Sequence, residues 1–102
     1  MNNLEIIAIA NLEVSDPDEY RKYEKGFFPI LKKHHGSFIT FDDSPQHMEG
    51  DSPLKGRVIL FGFNSEEDAS NWFNDPEYQE LSKHRRDGTS THSITFTKIL
   101  KR

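Results

Sequence analysis

Four segments of the chain have the hydrophobic pattern of β-strands, and two have the pattern of amphipathic helices. In the strand-like segments, apolar residues alternate with polar ones or run almost without a break. These segments are residues 4–14, 37–42, 57–63 and 91–99. In residues 16–36 and 64–86, apolar side chains recur every three or four residues, as they do along one side of a helix. The pattern therefore predicts the order strand, helix, strand, strand, helix, strand.

Two similar phrases mark places where helices begin. DPDEYRKY spans residues 16–23, and DPEYQEL spans residues 75–81. In each phrase Asp accepts from free backbone N–H groups, Pro takes the first helical position, and an acid meets the positive end of the helix dipole. The second phrase lies inside the second helical segment, so it predicts that the helix restarts there. Pro29 predicts a kink or a break in the first helix, and Gly36 predicts a left-handed end to it.

Two βαβ halves in this order predict an α+β fold of the ferredoxin-like type, as a single domain over residues 1–102. In that βαββαβ arrangement a four-stranded antiparallel sheet carries both helices on one face. The first and third strands nevertheless have apolar residues on both faces, with Ile7 and Ile9 in one and Val58 and Leu60 in the other. Because soluble proteins rarely expose a large apolar patch, a second copy of the chain is predicted to cover this face, giving a homodimer.

Composition and charge narrow the classes of function. Aromatic residues make up 12% of the 102 residues, with eight Phe, so large side chains fill the predicted core. The net charge is −4 and the Lys and Arg residues are scattered, which argues against nucleic-acid binding. The chain has no Cys, which excludes disulfides and thiolate chemistry. The N-terminus lacks a basic leader and no apolar run approaches the ~20 residues of a membrane span, so a cytoplasmic protein without membrane contact is predicted.

The order and spacing of several motifs resemble those of an uncharacterised family, domain of unknown function 1330, within the dimeric α/β-barrel superfamily. The motifs are VSDPDEYRKYEKGFFPILKKHHG (residues 14–36), MEG (48–50), RVILFGFNSEEDASNWFNDPEYQEL (57–81) and Arg85. The resemblance implies two sheets packed face to face in a homodimer, with a pocket between the sheet and the helices of each subunit. It implies no particular reaction, because the family has no settled activity.

The chain departs from the family pattern at two places. Where two adjacent glycines are usual after the first helix, residues 35–37 read HGS. Where an Arg followed by glycines usually ends the second strand, residues 41–43 read FDD. If that basic corner holds an acidic ligand in relatives, this chain is expected to bind a different compound.

Haem-degrading relatives in the same superfamily provide a test for haem binding. The chain resembles them in Asn11, late in the first strand, and in Trp72, on the second helix. The position of their iron-ligating His falls on Ser82, and His84 lies about 200° around the helix from it. No haem, other cofactor or metal site is therefore predicted. Trp72 is interpreted as a core residue or a wall of the pocket.

Arg85 is the strongest candidate for binding an anion. The spacing of Tyr78, Leu81 and Arg85 places the guanidinium on the same helical stripe as two core residues. A buried Arg needs either a carboxylate of the protein, such as Glu49, or an anionic ligand. In the second case Arg85 would bind a carboxylate or an enolate, with Arg57 as a second cation. Both alternatives are open from the sequence.

The long polar loop before the third strand contains His47 and Glu49, which are candidates for a general acid or base. The alternative is that both are solvated loop residues. Tyr20 and Tyr23 are predicted to be core aromatic residues whose hydroxyls reach the pocket or solvent. Tyr23, Tyr78, Trp72 and Asn11 complete the candidate binding residues.

Two classes of function are compatible with these residues. One is a homodimeric, cofactor-free isomerase or monooxygenase-type enzyme that acts on a small aromatic or carboxylated metabolite. The alternative is a dimer that binds a small ligand without catalysis, or a purely structural dimer. A position of His47 or Glu49 in the pocket would favour the enzyme, and exposure of both would favour binding alone.

Overall fold

The computed structural model describes residues 3–100 and has the predicted α+β, ferredoxin-like fold. Its elements are β1 (Ile6–Val14), α1 (Pro17–Lys33), β2 (Ser37–Asp42), β3 (Arg57–Phe63), α2 (Glu66–Asn74), α3 (Pro76–Gly88) and β4 (Thr89–Lys98). The four strands form one antiparallel sheet in the order β2-β3-β1-β4. The first two and last two residues of the predicted domain lie outside the described residues, so its bounds at 1 and 102 stay a prediction.

Alternate residues of β1, one of the two central strands, lie on opposite faces of the sheet. Its even-numbered residues from Ile6 to Leu12 are buried against the helices, where Trp72 and Tyr78 fill the middle of the core. On the opposite face Ile7 and Ile9 are only half-buried, as are Val58 and Leu60 of β3. Ile9 lies directly opposite Leu60, so the four residues form one apolar patch, here called the outer patch.

Both repeated phrases begin helices, as predicted. The side chain of Asp16 accepts a hydrogen bond from the Glu19 N–H at 3.2 Å, and that of Asp75 accepts from the Glu77 N–H at 2.8 Å. Such a cap stabilises a helix by about 1 kcal/mol. Asp75 also ends α2, so the second helical segment consists of two helices with one residue between them.

The first helix differs from the prediction at Pro29. Helix α1 continues through Pro29 to Lys33, so a two-piece helix was wrong. The carbonyl that loses its donor belongs to Lys25, and both Lys25 and Pro29 are exposed. Water can satisfy that carbonyl, which is why the helix tolerates the proline.

The left-handed residue at the end of α1 is His35, with φ of 60°, and not Gly36 as predicted. The Gly36 N–H donates to the Leu31 carbonyl at 2.9 Å and the His35 N–H donates to the Lys32 carbonyl at 3.0 Å, which is the hydrogen-bond pattern of a Schellman motif. Gly36 has a steric role instead, because a β-carbon there would collide with the Leu31 side chain. Within residues 3–100, no helix combines the length and the apolar character needed to span a membrane.

Candidate functional site

A cavity of about 160 Å³ lies between α1 and the helix-facing side of the sheet. Its floor is Ala10 of β1, which pairs with Ile59 on one side and with Ile94 on the other. Because alanine is small and both isoleucines are only partly buried, the sheet has a depression at this point. The side chains of α1 form a roof over it and leave the space open.

The walls of the cavity are aromatic. The rings of Tyr23 and Phe27 have centroids 5.7 Å apart, and Phe27 meets Phe61 of β3 edge to face at 5.3 Å. At the entrance the exposed rings of Phe28 and Phe41 border the space. Aromatic faces and edges of this kind favour a flat, apolar ligand.

Arg85 brings a buried positive charge to the cavity. It is only 6% exposed, and its Nη1 donates to Thr91 Oγ1 at 3.0 Å. Its Nε is buried and has no hydrogen-bond partner among the described residues. The guanidinium carbon lies 5.7 Å from the centre of the Tyr23 ring, which supplies a weak cation–π contact.

No carboxylate within residues 3–100 forms an ion pair with Arg85. Glu49, the suggested protein partner, lies exposed on the loop between β2 and β3. Taking a charge out of water without a partner costs several kcal/mol even after the protein relaxes. The guanidinium therefore has unused capacity to bind an anion from the cavity.

Arg57 is in the opposite situation, because acids of the same chain already bind it. Its Nε and Nη2 donate to the two carboxylate oxygens of Asp43 at 2.6 and 3.2 Å, and its Nη1 donates to Glu24 at 3.1 Å. The hydrogen bonds from Arg57 lower the pKa of Asp43 below its ordinary value. The guanidinium also lies 4.5 Å above the centre of the Phe41 ring. Arg57 lines the cavity, but its guanidinium is already paired with Asp43 and Glu24.

The tyrosines at the cavity are held neutral. Burial raises the pKa of Tyr20 to about 12 and raises the pKa of Tyr23 well above its ordinary value. The Tyr23 and Tyr78 hydroxyls are 2.8 Å apart and share a hydrogen bond. At neutral pH the phenols of Tyr20 and Tyr23 are therefore un-ionised and can donate or accept hydrogen bonds, but they do not supply a phenolate base.

The other candidate residues lie away from the cavity. Trp72 is fully buried in the core, where its ring centroid is 4.0 Å from that of Tyr78. The side-chain amide of Asn11 donates to the carbonyls of Lys55 and Arg57 at 2.8 and 3.1 Å, so it anchors the chain entering β3. Neither Trp72 nor Asn11 is among the residues that line the cavity.

His47 and Glu49 are both exposed, and neither lines the cavity. The His47 ring shares a hydrogen bond of 2.7 Å with the Gly50 carbonyl, which fixes it within its own loop. Exposure of both residues is the arrangement expected for binding without catalysis. Within residues 3–100, no three His, Asp or Glu side chains are grouped in a way that could hold a metal ion.

Glu24, Phe27 and Asp43 were not identified as site residues from the sequence. Glu24 and Phe27 recur at helical spacing with Tyr20 and Tyr23 and share the face of α1 that covers the cavity. That spacing could have placed Glu24 beside the tyrosines. Asp43, in contrast, approaches Arg57 only through the pairing of β2 with β3.

Comparison with known proteins places the chain in a family. Residues 6–99 match the family model described as domain of unknown function (DUF1330). The chain belongs to this family. No curated protein is significantly similar to it.

Solved structures share the fold of this DUF1330 protein. RPA0582 of Rhodopseudomonas palustris, described as a protein of unknown function, has a TM-score of 0.78 and 17% identity over 98% of this chain and 85% of its own. SnoaB of Streptomyces nogalater, a cofactor-independent oxygenase, has a TM-score of 0.64 and 7% identity over 97% and 96% of the two chains. ActVA-Orf6 of Streptomyces coelicolor, a monooxygenase in complex with nanaomycin D, has a TM-score of 0.59 and 15% identity over 100% and 93%. At these identities the likeness establishes the fold alone.

Proposed function

We propose that this protein binds a small aromatic compound with an acidic oxygen, such as a carboxylate, an enolate or a phenolate, in the cavity beneath α1. The observation that carries this proposal is Arg85, a buried guanidinium that lines an aromatic cavity and forms no ion pair with a carboxylate of residues 3–100. An anionic ligand in the cavity would supply the missing negative charge beside the guanidinium.

The shape of the cavity limits the size of the ligand. A cavity of ~150 Å³ in another protein holds a benzene-sized molecule, and the cavity here is about 160 Å³. One ring with a small acidic substituent matches this space. The ring would lie among Tyr23, Phe27 and Phe61, and its acidic group would face Arg85.

The protein is further proposed to act as a homodimer in which the outer patches of two subunits meet. Ile7, Ile9, Val58 and Leu60 are adjacent on a sheet face that carries no helix, so they have no cover within the described chain. A second copy would bury the same four residues from both sides in one symmetric contact. The helix-facing cavity would remain open within each subunit.

The binding test uses benzoate and benzamide, which have nearly the same shape but differ in charge. Benzoate is expected to bind the wild-type protein roughly 10- to 100-fold more tightly, because a hydrogen bond to a charged group contributes about 1.5–3 kcal/mol. Arg85→Met should abolish this preference in isothermal titration calorimetry. Arg86→Met is the matched control, because Arg86 is an exposed neighbour on the same helix.

Equal affinity of the wild-type protein for the two compounds would refute the proposal, as would an unchanged preference in Arg85→Met. Circular dichroism checks that the variant is folded. If Arg85→Met does not fold, the ratio of the two affinities in the wild-type protein decides the question.

A second candidate function is a cofactor-free enzyme of the monooxygenase or isomerase type on the same ligand. The fold shared with SnoaB and ActVA-Orf6 supports it, and Arg85 could stabilise an enolate or a phenolate as it forms. Such a reaction needs a base, however, and the sole carboxylate among the described lining residues, Glu24, is bound to Arg57. Binding without catalysis is therefore the preferred function.

Oxygen uptake separates the enzyme from the binding protein. Consumption of oxygen with hydroxybenzoates, at a rate that falls in Arg85→Met, would favour a monooxygenase. Binding of these compounds without oxygen uptake or isomerised product would favour the binding protein.

A further inference from the structure

The entrance of the cavity carries a charge opposite to that of its interior. Arg57 stands at the entrance with one positive charge, and two carboxylates, Asp43 and Glu24, bind it there. Both carboxylates are partly exposed, with the side chains of Asp43 and Glu24 60% and 46% accessible; Glu24 lines the cavity, and Asp43 lines a recess that shares Glu24 and Arg57 with it. The three groups together carry a formal charge of about −1 at neutral pH, because Asp and Glu are ionised and Arg is protonated.

The neighbouring charges do not compensate for this excess. A shallow recess outside the cavity shares Tyr20, Glu24 and Arg57 with it and is also bordered by Arg21. Arg21 is paired with Asp18 at 3.3 Å, so that pair adds no net charge. Among the described residues that line the cavity and the recess, Arg85 is the cation without an ion-pair partner, and it is buried.

The cavity is therefore polarised: the unpaired cation Arg85 lies inside, and the three charged side chains at the entrance, Arg57, Asp43 and Glu24, have a net negative charge. We infer that the site selects a single-ring ligand with one anionic group directed inward and a neutral or cationic group at its outer end, and that it rejects ligands that are anionic at both ends. Glu24 and Asp43 are the residues that determine this specificity. This inference rests on the proposed binding function, since it requires that the inner anion meets Arg85.

The physical basis is the interaction between like charges at the entrance. A substituent para to the inner carboxylate would extend toward Phe41, above which the Arg57–Asp43 pair lies. A second carboxylate there would meet the negative excess in a partly exposed setting, where Coulomb energies are intermediate between those of water and of a protein interior. The expected discrimination is on the order of 5- to 10-fold, and it should decrease as salt is added.

The test compares terephthalate with 4-carbamoylbenzoate, which have the same shape but differ by one charge at the outer end. Calorimetry at low salt should show the wild-type protein binding 4-carbamoylbenzoate roughly 5- to 10-fold more tightly than terephthalate. Glu24→Gln makes the entrance neutral and should bring the ratio close to one. Arg57→Gln makes the entrance more negative and should increase the ratio.

Glu67→Gln is the matched control. It also removes one acid from a helix, but Glu67 is exposed in the first turn of α2 and lines neither the cavity nor the recess, so the ratio should not change. If Arg57→Gln does not fold, Glu24→Gln tests the inference by itself. This variant is expected to fold, because the Glu24 side chain is partly exposed.

The two proposals fail in different ways. Equal affinity for the two compounds, or a ratio that Glu24→Gln leaves unchanged, would overturn the selectivity while leaving binding at Arg85 intact. Failure of the wild-type protein to bind either compound while it binds benzoate would overturn the selectivity alone, and failure to bind benzoate as well would overturn the binding function and the selectivity together.

Discussion

The two faces of the sheet differ in which groups they leave unpaired or only partly covered. On the helix-facing side, the chain covers the sheet with its own aromatic side chains but leaves a cavity with an unpaired buried cation. On the outer side, the chain places four adjacent apolar residues and gives them no cover within the described chain. The helix-facing side is proposed to bind a small anion, and the outer side is proposed to pack against a second subunit. If both proposals hold, ligand binding and self-association use separate faces and can be disrupted separately.

The largest effect is expected on the outer face. Ile9→Lys would place two unpaired charges in the proposed symmetric dimer, so dimerisation should weaken by roughly 1,000-fold or more. Sedimentation equilibrium over a range of concentrations measures this, and benzoate binding should persist in the monomer. Asp18→Lys, at an exposed position of α1, should leave the dimer intact. A wild-type protein that is monomeric at high concentration would mean that the outer patch has another partner.

A smaller effect is expected on the thermal stability of the protein at acid pH, where protonation of Asp75 weakens the contact between α1 and α3. Asp75 joins the end of α1 to the start of α3: the His34 ring lies 2.7 Å from its carboxylate, and the Lys33 ammonium lies 2.9 Å from it. The hydrogen bond with His34, followed by that from Lys33, lowers the pKa of Asp75 far below its ordinary value.

The sign of the effect on stability follows from that lowered pKa. Because the folded state binds the proton of Asp75 less tightly than the unfolded state, this contribution is fully present above pH ~4 and is lost as the pH falls further. Thermal unfolding of wild-type protein and Asp75→Asn should therefore differ at neutral pH and converge in acid. A difference that is constant from pH 7 to pH 2 would contradict this role for Asp75.

The smallest effect is expected on the stability of the ligand-free protein. Arg85→Met removes an unpaired buried charge, so the free energy of unfolding should stay the same or rise by about 1 kcal/mol. The loss of the hydrogen bond to Thr91 is partly offset, because Thr91 also contacts the Thr89 hydroxyl at 2.9 Å. Urea unfolding without ligand measures this change. A loss of several kcal/mol would mean that Arg85 serves the fold more than it serves a ligand.

Local patterns predicted the fold well because they depend on near neighbours. The caps at Asp16 and Asp75 and the alternation along β1 are properties of a few adjacent residues, so they could be recognised without the structure. Errors arose where packing mattered. Pro29 is tolerated because it faces solvent, and the left-handed turn falls on His35 because Gly36 is needed beside Leu31.

The site was only partly predictable, for the same reason. Helical spacing placed Arg85 with core residues, which suggested that it is buried. Nothing in that spacing could show whether a carboxylate reaches it. Arg57 was expected to be a free cation, but Asp43 lies 14 positions earlier in the chain and Glu24 lies 33 positions earlier, and both reach it through the fold.

By itself the sequence determined the order of strands and helices, the ferredoxin-like topology and the existence of a second apolar face, since each follows from the periodicity and chemistry of neighbouring residues. Only the tertiary structure decided that a cavity opens above Ala10, that Arg85 has no carboxylate partner within residues 3–100 and that Arg57 has two. Those features depend on distances between residues far apart in the chain, and such distances are defined only once the strands are paired and the helices are packed.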